Sequence, residues 1–186
     1  MVRARCVRAT CAVAPLGCLG YFRGPMIQAL LLDADGVVQS TGPSFWSSLG
    51  GLIAHEDKYA FFDAVFAVEE KCLSGRLDFA RELERLLGQW GSEASVDQAL
   101  RAWHDIRVDA TVLPLVAVVR SCGVICCVAS NQQPYRARHM SQVLGFSQLF
   151  DRELYSHAIG AAETGAAVRL SDSGCARSSG GAGSIR

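Results

Sequence analysis

Nine consecutive residues constrain this chain more than any others: Leu30-Leu31-Leu32-Asp33-Ala34-Asp35-Gly36-Val37-Val38. They close an apolar run that begins at Met26 and stops abruptly at two carboxylates two positions apart. A short apolar run closed by turn chemistry suits a strand buried on both faces of a parallel sheet. Ligands of open α/β sheets gather at the carboxyl ends of the strands. Side chains two apart on a strand share a face, so Asp33 and Asp35 are expected to address one site. Gly36 lets the chain turn away sharply just after them. One such carboxylate can attack phosphorus, and the other can protonate a leaving oxygen and then activate water. The same residues also suit an Asp-rich strand-end turn that carries no chemistry.

The remaining elements follow from periodicity. Pro43 opens a helical zone, and residues 57–72 carry Tyr59, Phe62, Val65 and Phe66 at helical spacing. Residues 78–90 place Phe79, Leu83, Leu86, Leu87 and Trp90 on one stripe. Ser95 with Gln98 reads as a capping box for a helix that carries Leu100 and Trp103. Thr111 to Ser121 is expected to be helical, with Gly123 at the C-cap. A second buried strand, Val124 to Ala129, leads into Ser130-Asn131. A helix then runs to about Leu144, and Leu154-Tyr155-Ser156 forms a weaker third strand. Strand, block of helices, strand, helix, strand describes a Rossmann-like α/β fold with a small helical cap inserted after the first strand. Ser130 and Asn131 end the second strand as Asp33 ends the first, where a hydroxyl and an amide can bond a phosphoryl oxygen. Ser130 also suits a helix N-cap.

Composition excludes several classes. The 18 basic and 18 acidic residues balance, which leaves no basic footprint for nucleic acid. No apolar run reaches the roughly 20 residues of a membrane helix. Cys126 and Cys127 lie inside an apolar run, and no Cys-x-x-Cys spacing occurs, so buried free thiols in a reducing cytoplasm are expected rather than disulfides or zinc. His55, His104, His139 and His157 share no ligand spacing and read as scattered surface or cap residues. Phe45, Trp46 and Trp103 read as packing residues of the cap, with a substrate-facing role as the alternative, and Arg136 and Arg138 as a solvated helix face, with contact to an anionic substrate as the alternative.

The first strand with Asp-x-Asp-Gly-Val, and the second with Ser-Asn, together resemble the haloacid-dehalogenase-like (HAD) hydrolase superfamily over about residues 26–162. The resemblance implies a Mg²⁺-dependent phosphatase acting through an aspartyl-phosphate on a small phosphorylated metabolite. Asp33 would be nucleophile and Mg²⁺ ligand. Asp35 would be the acid/base and lend the metal its backbone carbonyl. Ser130 would hold the phosphoryl group, and Asn131 would orient the site. Dehalogenases of this family lack the second Asp, so Asp35 favours phosphate chemistry. The organisation implied is a core at 26–40 and 111–162 with a cap at 41–110.

The sequence departs from that pattern in its second half. The family's third motif supplies a Lys after the third strand, and this chain has no Lys beyond Lys71. The fourth motif is a strand ending in paired acids, for which only Asp172 stands. Weak or absent turnover is therefore expected, with a non-catalytic remnant or a binding module as the alternative. Residues 1–25 carry four Arg, three Cys and no acid, and read as a disordered or mis-started leader ahead of Met26. Residues 164–186 contain 14 Gly, Ser or Ala among 23 and read as a flexible tail. Glu163-Thr164-Gly165-Ala166 stands where Lys-Pro-Asp/Glu-Pro is expected. Deleting the first base of its codons permits that motif, which points to a shifted reading frame from about 163 onward.

Overall fold

The structure, a computed structural model, describes residues 27–54 and 57–162. The leader, the tail and the proposed frame change lie outside the described residues.

Three strands form the central parallel sheet: β1 (Ala29–Leu32), β4 (Ile125–Ser130) and β5 (Arg152–Tyr155), in the order β1-β4-β5. The register Leu32↔Val128 and Ser130↔Tyr155 brings the carboxyl ends of all three strands to one side. Val128 and Cys126 are fully buried, and Cys127 nearly so, because β4 has a neighbour on each side. Burial pushes the thiols of Cys126 and Cys127 up, as expected of inert packing cysteines. Among the described residues β1 is an edge strand, with one row of backbone groups unpaired.

A second, two-stranded antiparallel sheet joins β2 (Gln39–Thr41) to β3 (Ile106–Val108). It ties together the chain leaving the core and the chain returning to it. Between these strands lie α1 (Phe45–Gly50), α2 (Lys58–Cys72), α3 (Phe79–Gln89) and α4 (Val96–Ala102). They enclose their own apolar core of Phe45, Leu49, Phe61, Val65, Phe79, Leu83 and Trp103. The capping box at Ser95 and Gln98 forms as expected. The stripe on α2 does not: Phe61 is buried and Tyr59 is 82% exposed. Apolar residues surround that helix on all sides, so sequence spacing alone could not select its inner face.

After β3 come α5 (Val112–Ser121), then β4, then α6 (Pro134–Gln142), α7 (Phe146–Leu149), β5 and α8 (Ser156–Ile159). Their apolar residues build a second core of Ala34, Val38, Val116, Cys126, Val128, Met140, Phe146 and Phe150. Asp151 fixes the start of β5. Its carboxylate accepts the Cys126 amide at 2.8 Å and the Arg120 guanidinium at 2.8 Å.

Candidate active site

The two acids lie just beyond β1, not on it. Strand alternation therefore does not place them, and a tight turn does: Val38 N and Gln39 N both donate to the Ala34 carbonyl at 2.9 Å. Gly36, at φ 79°, donates to the Gln39 carbonyl at 2.7 Å. The turn brings Gln39, only 2% exposed, against Asp35, and Gln39 Nε2 donates to Asp35 Oδ1 at 3.1 Å.

Asp33 and Asp35 have different surroundings. Asp33 is exposed, and its Oδ1 accepts the amide of the next residue, Ala34, at 2.7 Å. Asp35 accepts from three residues. Besides Gln39, Gln132 Nε2 donates to Oδ2 at 2.7 Å, and Arg136 grips both oxygens, Nη2 to Oδ1 at 2.8 Å and Nη1 to Oδ2 at 3.2 Å. Gln132 Nε2 also reaches Ser130 Oγ at 3.2 Å, so Ser130 and Asp35 meet through one amide. Asn131 follows directly, half-buried. Ser130 does not cap α6; that role falls to Gln133, whose Oε1 accepts from Tyr135 N at 2.7 Å and Arg136 N at 3.1 Å.

Arg136 is the residue whose surroundings differ most from the sequence expectation. It was expected on a solvated face, as Arg138 is, yet its side chain is only 11% exposed. Its position in the first turn of α6, itself launched from the end of β4, carries the guanidinium to the strand-end acids. The signal available in sequence was a basic residue shortly after Ser-Asn, with nothing to show that its partner lay 101 positions earlier.

The cap closes over this cluster. Tyr135 Oη donates to Asp78 Oδ2 at 3.0 Å, and Ser156 Oγ donates to the Leu73 carbonyl at 2.7 Å. Ser156 Oγ also accepts the Gln132 amide at 3.1 Å, so one hydroxyl steadies both cap and site. Glu69 comes down from α2. Burial pushes its carboxyl up to about 7, against the pull of Arg136 and a hydrogen bond from Trp103, while the charge of Asp35 adds to the rise. His104 and His139 are not scattered: their rings stack across the cap–core seam, centroids 4.4 Å apart and 6° from parallel.

Magnesium prefers six oxygens in near-octahedral array, usually from one or two carboxylates, waters and substrate. Here Asp33 offers carboxylate oxygen, while both oxygens of Asp35 are committed to Arg136 and two amides. Among the described residues no group of three or more His, Cys, Asp or Glu is placed to hold a metal ion. The Asp33 carboxylate and the Asp35 backbone carbonyl are the described groups that would hold the ion, with water and substrate oxygens completing the shell and the Asp35 carboxylate outside it.

No protein-family model matches the chain, and no curated protein does. Solved structures match in fold. A HAD family enzyme from Bacteroides thetaiotaomicron, solved as a magnesium complex, is 15% identical with a TM-score of 0.58, over 72% of this chain and 70% of that one. A HAD-like family hydrolase from Porphyromonas gingivalis is 20% identical with a TM-score of 0.53, over 72% and 68%. An L-2-haloacid dehalogenase is 17% identical with a TM-score of 0.54, over 74% and 67%. The chain thus has the fold of the HAD-family hydrolases, with a three-stranded part of the Rossmann-like sheet described. Also, among the described residues, no helix is long and apolar enough to cross a membrane.

Proposed function

We propose that this chain carries the nucleophile half of a phosphate-directed HAD-like hydrolase site, and that its turnover is weak because Asp35 is withheld from proton transfer. The observation that carries the reading is the contrast between the two acids. Both are exposed, but Asp33 accepts the amide of its neighbour Ala34, while Asp35 is gripped through both oxygens by Arg136.

An Asp33 oxygen would attack a phosphoryl group and expel the ester oxygen, leaving an aspartyl-phosphate. Ser130 Oγ and Gln132 Nε2, side by side at the end of β4, are the groups that would steady the phosphoryl oxygens. The second half of a turnover needs a base to activate water against the acyl-phosphate. Asp35 is the residue for that task, and in this structure its oxygens face Arg136, Gln39 and Gln132. A small phosphorylated metabolite is the substrate class this reading implies.

The test is to incubate the full chain with an aryl phosphate in the presence of Mg²⁺, as in the solved relatives, and map adducts by peptide mass spectrometry. The aryl leaving group departs without an acid, so the first step is separated from Asp35. A phosphoryl group on the peptide containing Asp33, lost in Asp33→Asn, supports the reading. No adduct in either protein rejects it in favour of a non-catalytic module of the same fold.

A further inference from the structure

The bond between Arg136 and Asp35 has an unusual inventory of donors around it. Arg136 Nη1 and Nη2 are spent on Asp35, while Arg136 Nε is buried without a partner. In the same first turn of α6, Gln133 is fully buried and its Nε2 also lacks a partner, although its Oε1 is doubly used. Across the turn, Gln39 Oε1 is buried and unpartnered. Buried polar groups left unmatched are costly, and those on Arg136 and on Gln39, which both bond Asp35, leave room in the bonding for a polar guest. Two of the three orphans are N–H donors, one of them on the guanidinium itself, and that balance suits an anion.

We propose that Arg136 is the specificity-determining cation of this site: it binds the phosphoryl group of an incoming ligand, and Asp35 is the internal carboxylate that such a ligand displaces. The proposal rests on the phosphate-directed reading above and adds to it the residue that selects the ligand. A guanidinium fork matches carboxylate and phosphate alike. Charge decides between them here. Asp35 already supplies a carboxylate at no translational cost, so a free monocarboxylate gains nothing by replacing it, whereas a phosphoryl dianion brings a second charge and a third oxygen for the unused N–H groups. Displacement breaks the Arg136 bonds and leaves Asp35 still held by the amides of Gln39 and Gln132. Ground-state affinity is correspondingly low, because every ligand must first break the resident pair.

The experiment is the titration of inorganic phosphate into the full chain without divalent cations, at constant ionic strength held with chloride, followed by ³¹P line broadening. Wild type is expected to bind weakly and Arg136→Gln to lose binding. Removing the competitor in Asp35→Asn should tighten binding by at least about tenfold, the scale of a released charge-assisted bond. Asp33→Asn removes the same formal charge without touching Arg136 and should tighten it far less. Excess acetate should not displace the bound phosphate and should leave the ³¹P broadening of wild type unchanged. The proposal is overturned if Arg136→Gln binds phosphate as wild type does, or if Asp35→Asn binds no more tightly than Asp33→Asn. Should Arg136→Gln lose its fold by circular dichroism, the Asp35→Asn against Asp33→Asn comparison decides alone. These readings are independent of any adduct on Asp33, so failure of the hydrolytic reading and failure of this one are told apart.

Discussion

Gly75 offers a measure of how firmly the cap is seated on the core. It lies in the loop after α2 at φ 73°, and a Cβ built there would stand 2.5 Å from the carbonyl oxygen of His157 in α8. Gly75→Ala therefore carries two costs. Left-handed backbone costs an L-residue about 1–2 kcal/mol. Relieving the overlap requires the loop to move away from α8 by several tenths of an ångström or more, which for overpacked sites costs about 1–3 kcal/mol. Gly91 is the internal control: its φ is 63°, and a Cβ there meets nothing within 4 Å. Gly91→Ala should cost only the backbone part, and the gain from stiffening the unfolded chain is common to both variants. The assay is urea unfolding followed by tryptophan fluorescence, since Trp46, Trp90 and Trp103 all lie in the helical cap segment. Gly75→Ala should lose about 2–5 kcal/mol, an appreciable share of a typical domain's stability, and Gly91→Ala about 1–2. If the two variants lose the same amount, the loop does not bear on α8, and the argument that the cap is docked over the acids fails with it.

Three further expectations concern pH and assembly. Burial lowers the pKa of both His104 and His139, with Arg101 adding to the effect on the first, and His104 and Arg136 on the second. The unfolded chain then takes up protons near 6.5 and the folded chain only at lower pH, so stability present above that value falls as pH drops through it. Thermal midpoints measured across this range should show the loss, and His139→Gln should reduce it. Glu69 has the opposite sign: with its folded value at about 7 against an ordinary 4.5, its contribution is full at low pH and is lost as pH rises through that window. Glu69→Gln should therefore be more stabilising above pH 7 than below 4.5, as read by the same melts. Finally, β1 presents an open edge among the described residues, preceded by exposed Ile27, and α5 exposes Leu115 and Val118. The purified chain should self-associate in light scattering, and a monodisperse monomer would speak against that open edge.

Much of this architecture was legible because its signals are local. The strands at β1 and β4 announce themselves as apolar runs, and the Asp33-Ala34-Asp35-Gly36 and Ser130-Asn131 endings place a site between them. The β2–β3 pair was not legible. Each strand is three residues long, Gln39 pairs with Val108 from 69 positions away, and neither segment carries an alternating pattern. Asp33 and Asp35 were read as alternating positions on a strand, whereas the chain leaves the sheet at Leu32 and a turn closed on the Ala34 carbonyl does the placing. Arg136 and the His104–His139 stack escaped notice for one common reason. Their partners are distant in sequence, Asp35 before the cap insertion and His104 within it, and a polar helix face looks the same in sequence whether it meets solvent, a ring or a carboxylate.

The account turns on Asp33 being a nucleophile in a site whose Asp35 is bound to Arg136, and steady-state hydrolysis of an aryl phosphate by the wild-type chain with Mg²⁺ tests this most directly. Loss of a single preorganised stabilising group costs about 10²–10³ in rate, and here the acid/base is tied down as well. Turnover well below about 1 s⁻¹, the low end of ordinary enzymes, is the predicted result. Turnover above that rate, abolished by Asp33→Asn and unchanged by Arg136→Gln, would contradict it.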